Sequence, residues 1–95
     1  MSKIKLKLYV IGNSLVSKRA IRNFKALCST AGLKGCCDME VIDLMEHEDL
    51  AEKERILATP LLIRKEPLPQ RRIIGDLSNR QKVLSTLELP DEEHE

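Results

Sequence analysis

A strand, a helix and a second strand are written in immediate succession at the start of this chain. From Ile4 to Ile11 the apolar residues Ile4, Leu6, Leu8 and Val10 recur at period two, as on one face of a strand. Lys5 and Lys7 take the other face at first, followed by Tyr9 and Ile11. That pattern predicts an inner strand, one-sided at its start and buried on both faces at its end. Gly12-Asn13-Ser14 breaks the strand, and Ser14, with Ser17 as an alternative, fits a helix N-cap. A helix is expected to run to about Thr30 with Val16, Ala20, Phe24, Leu27, Cys28 and Ala31 as its buried stripe and Gly32 as its C-cap. Asp38 to Leu44 reads as the second strand, with Met39, Val41, Ile42 and Leu44 apolar. Two strands joined through a helix imply a parallel pair with a right-handed crossover.

The second half is read from its punctuation. Asp43 to Arg55 is acidic and predicts a short helix with Leu50 facing in. Thr59-Pro60 interrupts it. Leu61 to Lys65 and Arg72 to Ile74 read as strands around the proline-rich turn Glu66 to Gln70. Asp76 to Leu89 reads as a closing helix, with Ser78 and Gln81 as a capping box and Val83, Leu84 and Leu87 as its stripe. Strand, helix, strand, helix, strand, strand, helix, with a proline opening the third strand, is a thioredoxin-like α/β order. A single domain is expected over residues 4–89, with short tails at 1–3 and 90–95.

Thioredoxin-like order invites redox chemistry, but redox catalysis in that fold uses a C-x-x-C at the first helix N-terminus, where the helix lowers a thiol pKa. Asn13-Ser14-Leu15-Val16 stand there instead. Cys28 reads as a buried structural thiol, and Cys36 and Cys37 as incidental ones in a reducing compartment. Cys36, Cys37 and His47 match no usual metal-ligand spacing. Asp43, Glu46, Glu48 and Asp49 read better as a solvated acidic face at a helix start than as catalytic carboxylates. No Gly-rich phosphate loop or Ser-His-Asp set is arguable, so neither catalysis nor a cofactor is expected. With 2% aromatic residues and a formal charge of +1, base-stacking platforms and a strongly basic surface are lacking, so no nucleic-acid partner is expected. No apolar run approaches the roughly 20 residues of a membrane span, and Met1 to Lys7 does not lead into a signal-peptide core, so a cytoplasmic location is expected.

Two basic clusters remain, Lys18, Arg19, Arg22 and Lys25 on the first helix and Arg64, Lys65, Arg71 and Arg72 around the proline turn. Alone, each is an ordinary solvated face. Together, beside balancing acidic segments, they suggest a bipolar surface for a protein partner.

Four segments resemble the KaiB family in order and spacing: Lys7 to Asn13, Val41 to Leu44, Ile56 to Pro60, and Arg71 to Arg80. The resemblance implies a non-enzymatic clock component that binds the N-terminal ring of a KaiC-type hexameric ATPase and autokinase, with KaiA or an output histidine kinase as further partners. It also implies two folds for one sequence. One is a self-associated tetramer with the order strand, helix, strand, strand, helix, helix, strand. The other is a thioredoxin-like monomer, the form that binds KaiC. A rare or slowly formed binding state would make association slow. Isomerisation at Pro60, Pro67 or Pro69 would contribute, since it takes roughly tens to hundreds of seconds.

The residues implied to face KaiC are Ala51, Glu52, Lys53, Ile56, Leu57 and Ala58. Arg71 and Arg72 match a basic pair associated with tetramer and partner surfaces, with solubilisation of an edge strand as their plainer role. Gly75, Asp76 and Ser78 fall in the matching Arg71 to Arg80 segment, Asp76 and Ser78 as helix caps or partner contacts. Thr86-Leu87-Glu88 replaces the family's Gly-Leu-Asp, which raises helix propensity by about a few tenths of a kcal/mol and favours the thioredoxin-like state. A stress or other regulatory role without KaiA, and a thioredoxin-like thiol protein without C-x-x-C, are the alternatives. The sensory domain of a KaiB-related kinase is disfavoured because no kinase region is attached.

Overall fold

A computed structural model of the chain describes residues 3–30, 33 and 35–90. Strand β1 (Ile4–Val10) leads through helix α1 (Leu15–Cys28) to β2 (Cys37–Asp43), then a short α2 (Glu48–Lys53), β3 (Leu61–Glu66), β4 (Arg71–Ile74) and α3 (Arg80–Leu87). The sheet order is β2-β1-β3-β4. β2 runs parallel to β1, while β3 is antiparallel to both β1 and β4. Of the two arrangements that the family resemblance allows, this is the thioredoxin-like one. Ala31 and Gly32 at the expected end of α1, and the Asp91–Glu95 tail, lie outside the described residues.

The period-two pattern of β1 explains its central place. Leu6, Leu8 and Val10 face a core made with Ala20, Phe24 and Leu27 of α1, Leu62 and Ile73 of the sheet, and Val83, Leu84 and Leu87 of α3. Tyr9 faces the opposite side, where Ile42, Leu44, Leu61 and Ile63 pack with Leu50, Ala51 and Ile56 of the α2 region. Helices therefore cover both faces, and burying each large aliphatic side chain contributes about 1.5–3 kcal/mol.

Several expectations are corrected. Val16 is 41% exposed, and Ser17 takes the inward place, its hydroxyl donating to the Ile11 carbonyl at 3.1 Å. The N-cap is Ser14, whose oxygen accepts from the Ser17 amide at 3.2 Å. Ile11 is 47% exposed because the strand ends at Val10 and the chain turns out at Gly12. Met39 and Val41 are exposed on β2, which is an edge strand of the sheet.

α3 starts later than expected. Its cap is Asn79, which accepts from the Lys82 amide at 3.1 Å, and not Ser78. Asp76 does not cap it either: its carboxylate accepts from the Ser78 amide at 3.0 Å, closing a turn before the helix. Glu88 is not helical. It adopts φ 54° and ψ 49°, so the helix-propensity argument holds for Thr86 alone. The Leu89 amide returns to the Leu84 carbonyl at 2.9 Å and the Glu88 amide to Ser85 at 3.2 Å, a Schellman closure that folds Leu89 into the core.

Arg64 overturns the reading of a surface cluster around the proline turn. It is only 5% exposed. One guanidinium nitrogen donates to the Leu87 carbonyl at 2.9 Å and another to the Pro69 carbonyl at 2.7 Å. Its Nε has no hydrogen-bond partner among the described residues.

Candidate partner-binding surface

The end of the sheet where β1 gives way to α1 gathers the candidate site. Asp43 organises it. Its carboxylate accepts from the Gly12 amide at 3.0 Å and from the Met45 amide at 2.9 Å, joining the β1–α1 and β2–α2 loops. Those two bonds, Gly12 first, hold the Asp43 carboxyl below the usual carboxylate range. Gly12 takes φ +62°, a conformation most side chains avoid.

Between these loops and the segment entering β3 lies a groove of about 390 Å³. Ile11, Leu44, Met45, Ala51, Ile56, Leu57 and Ala58 contribute apolar walls, and Glu48 and Thr59 the polar ones. Leu57 is 97% exposed and Met45 64%. An apolar lining this open suits another protein's side chains. Pro60, behind a cis Thr59-Pro60 bond, is buried next to it and accepts the Gly75 amide at 2.9 Å.

Of the residues implied to face a partner, Ala51, Ile56, Leu57 and Ala58 line this groove together. Glu52 and Lys53 do not line it: both are exposed on α2, where Lys53 pairs with Asp49 at 3.3 Å. Arg71 and Arg72 are exposed on β4, the other sheet edge, with partners inside the chain. Arg72 donates to the Glu54 carbonyl at 2.7 Å, beyond the last turn of α2, and Arg71 pairs with Glu88 at 3.3 Å. Sequence reasoning missed Ile11, Leu44 and Met45 of the apolar lining and Glu48 and Thr59 of the polar one. The apolar residue directly before Gly12 was the available signal for Ile11, whereas Met45 carried none.

The remaining named positions lie away from the groove. Pro67 and Pro69 sit in the exposed β3–β4 turn. Gly75 (φ +131°), Asp76 and Ser78 form the connection from β4 to α3, and Asp76 pairs with Arg19 at 3.5 Å. Thr86 is exposed on α3.

No thiol occupies the N-terminus of α1. At the opposite end of the crossover, however, Cys28 and Cys37 stand 3.6 Å apart, so they are not the unrelated thiols the sequence suggested. Among the described residues no three His, Cys, Asp or Glu side chains converge as a metal site, and no helix is long and apolar enough to cross a membrane.

These features define a thioredoxin-like protein without the thioredoxin thiols, carrying an open apolar groove where the β1–α1 loop meets the entry to β3. Solved structures share the fold. The N-terminal domain of Synechococcus elongatus SasA matches with a TM-score of 0.72 at 18% identity, covering 93% of this chain and 86% of that one. The thioredoxin Deadhead of Drosophila melanogaster matches with a TM-score of 0.67 at 16% identity, covering 92% and 80%. The sequence profile of the KaiB domain matches residues 7–89, and the chain belongs to the KaiB family. It is 44% identical over 92 residues to the circadian clock protein KaiB3 of Synechocystis sp., covering 97% of this chain and 89% of that protein. It is 49% identical over 84 residues to the circadian clock oscillator protein KaiB of Synechococcus elongatus, covering 88% and 81%.

Proposed function

We propose that this chain is a non-enzymatic clock or clock-like regulator that docks on a KaiC-type hexameric ATPase through the groove beside Pro60. The observation that carries the reading is the meeting of Ala51, Ile56, Leu57 and Ala58 with Ile11 and Met45 on one open apolar surface. Kinship with proteins named for the circadian clock supports the regulatory role. A slow change between two folds is part of the proposal. Support for it comes from the backbone around α3, where Leu77 (φ 66°) and Glu88 (φ 54°) hold left-handed conformations without being glycine. Such residues cost about 1–2 kcal/mol each, which narrows the gap to an alternative packing.

The experiment is co-elution. The chain is incubated for hours with a hexameric KaiC-type ATPase and ATP, and the mixture is resolved by gel filtration. A complex that accumulates slowly is the expected result. A complex formed at once would keep the partner and remove the fold change. No complex in any nucleotide or phosphorylation state would overturn the partner.

A further inference from the structure

The α1–β2 crossover brings two of the three cysteines together. Cys28 closes α1 and Cys37 opens β2, both as half-buried free thiols. Their sulfurs are 3.6 Å apart and share a hydrogen bond. That bond, with burial adding to it, pushes the Cys28 thiol well above its ordinary value. The same bond lowers Cys37, against the opposing effects of burial and the Asp38 carboxylate. Cys36 is placed differently, its thiol aimed at the Leu33 carbonyl at 3.5 Å.

We propose that Cys28 and Cys37 are a redox modification site, forming a reversible disulfide that closes the crossover. The sulfurs need only move from 3.6 Å to the roughly 2.0 Å of an S–S bond, across a nine-residue separation in sequence. The oxidant is a low-molecular-weight disulfide of the glutathione type. Cys37, as thiolate, attacks one sulfur of that disulfide; a protein–glutathione S–S bond forms, and the first glutathione leaves with the proton that Cys37 gave up. Cys28 then loses its proton and attacks the Cys37 sulfur. The mixed disulfide breaks, and the second glutathione leaves as a thiol. Two electrons pass from the protein dithiol to the glutathione disulfide. The product ties edge strand β2 to the C-terminal end of α1.

The test treats the native chain with oxidised glutathione, quenches it with acid, and reads intact mass and the linked peptides. The expected product is monomeric, lighter by two hydrogens, free of glutathione and linked Cys28 to Cys37. Cys36→Ser is expected to give the same product, and Cys28→Ser to stall with glutathione on Cys37. A stable glutathione adduct on the unmodified sequence, a Cys28–Cys36 link, an intermolecular dimer, or no reaction would each overturn the proposal. Oxidation in urea separates geometry from mere proximity in sequence. Links from Cys28 to Cys36 and to Cys37 are expected there in comparable yield, and a native product just as mixed would count against a site built by the fold.

Discussion

Arg64 carries a charge into the interior between the end of α3 and the β3–β4 turn, held by the Leu87 and Pro69 carbonyls. The carbonyl end of a helix is its negative end, so a guanidinium is favoured there without a carboxylate. Replacing Arg64 by Ala would leave a cavity and two carbonyls without their donor. The expected loss is about 2–4 kcal/mol, read as a lower urea midpoint. Glu88 is the opposite case. A non-glycine residue in the left-handed region costs about 1–2 kcal/mol, while its exposed pair with Arg71 returns at most about 1 kcal/mol. Glu88→Gly is therefore expected to raise the urea midpoint, by about 0.5–1 kcal/mol in stability. Neither role was legible in the sequence. Arg64 lies in a basic run that looks like solvated surface, and only the tertiary meeting of β3 with α3 shows it to be inside. Glu88 continues a helical pattern that the left-handed turn ends one residue earlier.

Elements whose signal is local were legible. β1 declared itself by period two and α1 by its stripe and Ser14 cap, because neighbours in sequence decide both. Ser14→Ala is expected to cost about 1 kcal/mol, measured by denaturation. The start of α3 was misread because Ser78 and Asn79 are both good caps, and the Asp76 turn decides between them by engaging the Ser78 amide. Asp43 and Asp76 join elements through carboxylates held below their ordinary range, Asp43 by the Gly12 and Met45 amides and Asp76 by Ser78 and then Arg19. A carboxyl lowered in the folded state stabilises above its unfolded pKa of about 3.9, and that stability is lost as pH falls through the folded value. Stability is thus expected to fall in acid below about pH 4, and Asp43→Asn to flatten part of that fall in a series of urea titrations. An unchanged pH profile in that variant would contradict the bonding seen at Asp43.

Across the whole molecule, helices pack on both faces of the sheet and leave an open apolar groove at the end of β1. Half of that surface was legible. Ile56, Leu57 and Ala58 were implied as partner contacts by the family resemblance, whereas Ile11 and Met45 come from loops whose meeting depends on the Asp43 bridge. The basic pair Arg71 and Arg72 lies on β4, an outer strand, and its internal partners give it a structural role that charge alone did not disclose.

The Leu57 groove is the proposed docking surface. The most direct measurement compares Leu57→Asp with Leu68→Asp in co-elution with a hexameric KaiC-type ATPase and ATP. Both side chains are exposed, at 97% and 75%, so neither substitution disturbs the core, and Leu68 serves as a control in the β3–β4 turn. Leu57→Asp is expected to abolish the complex at matched circular dichroism, and Leu68→Asp to leave it intact. Full binding by Leu57→Asp, or loss by Leu68→Asp alone, would contradict it.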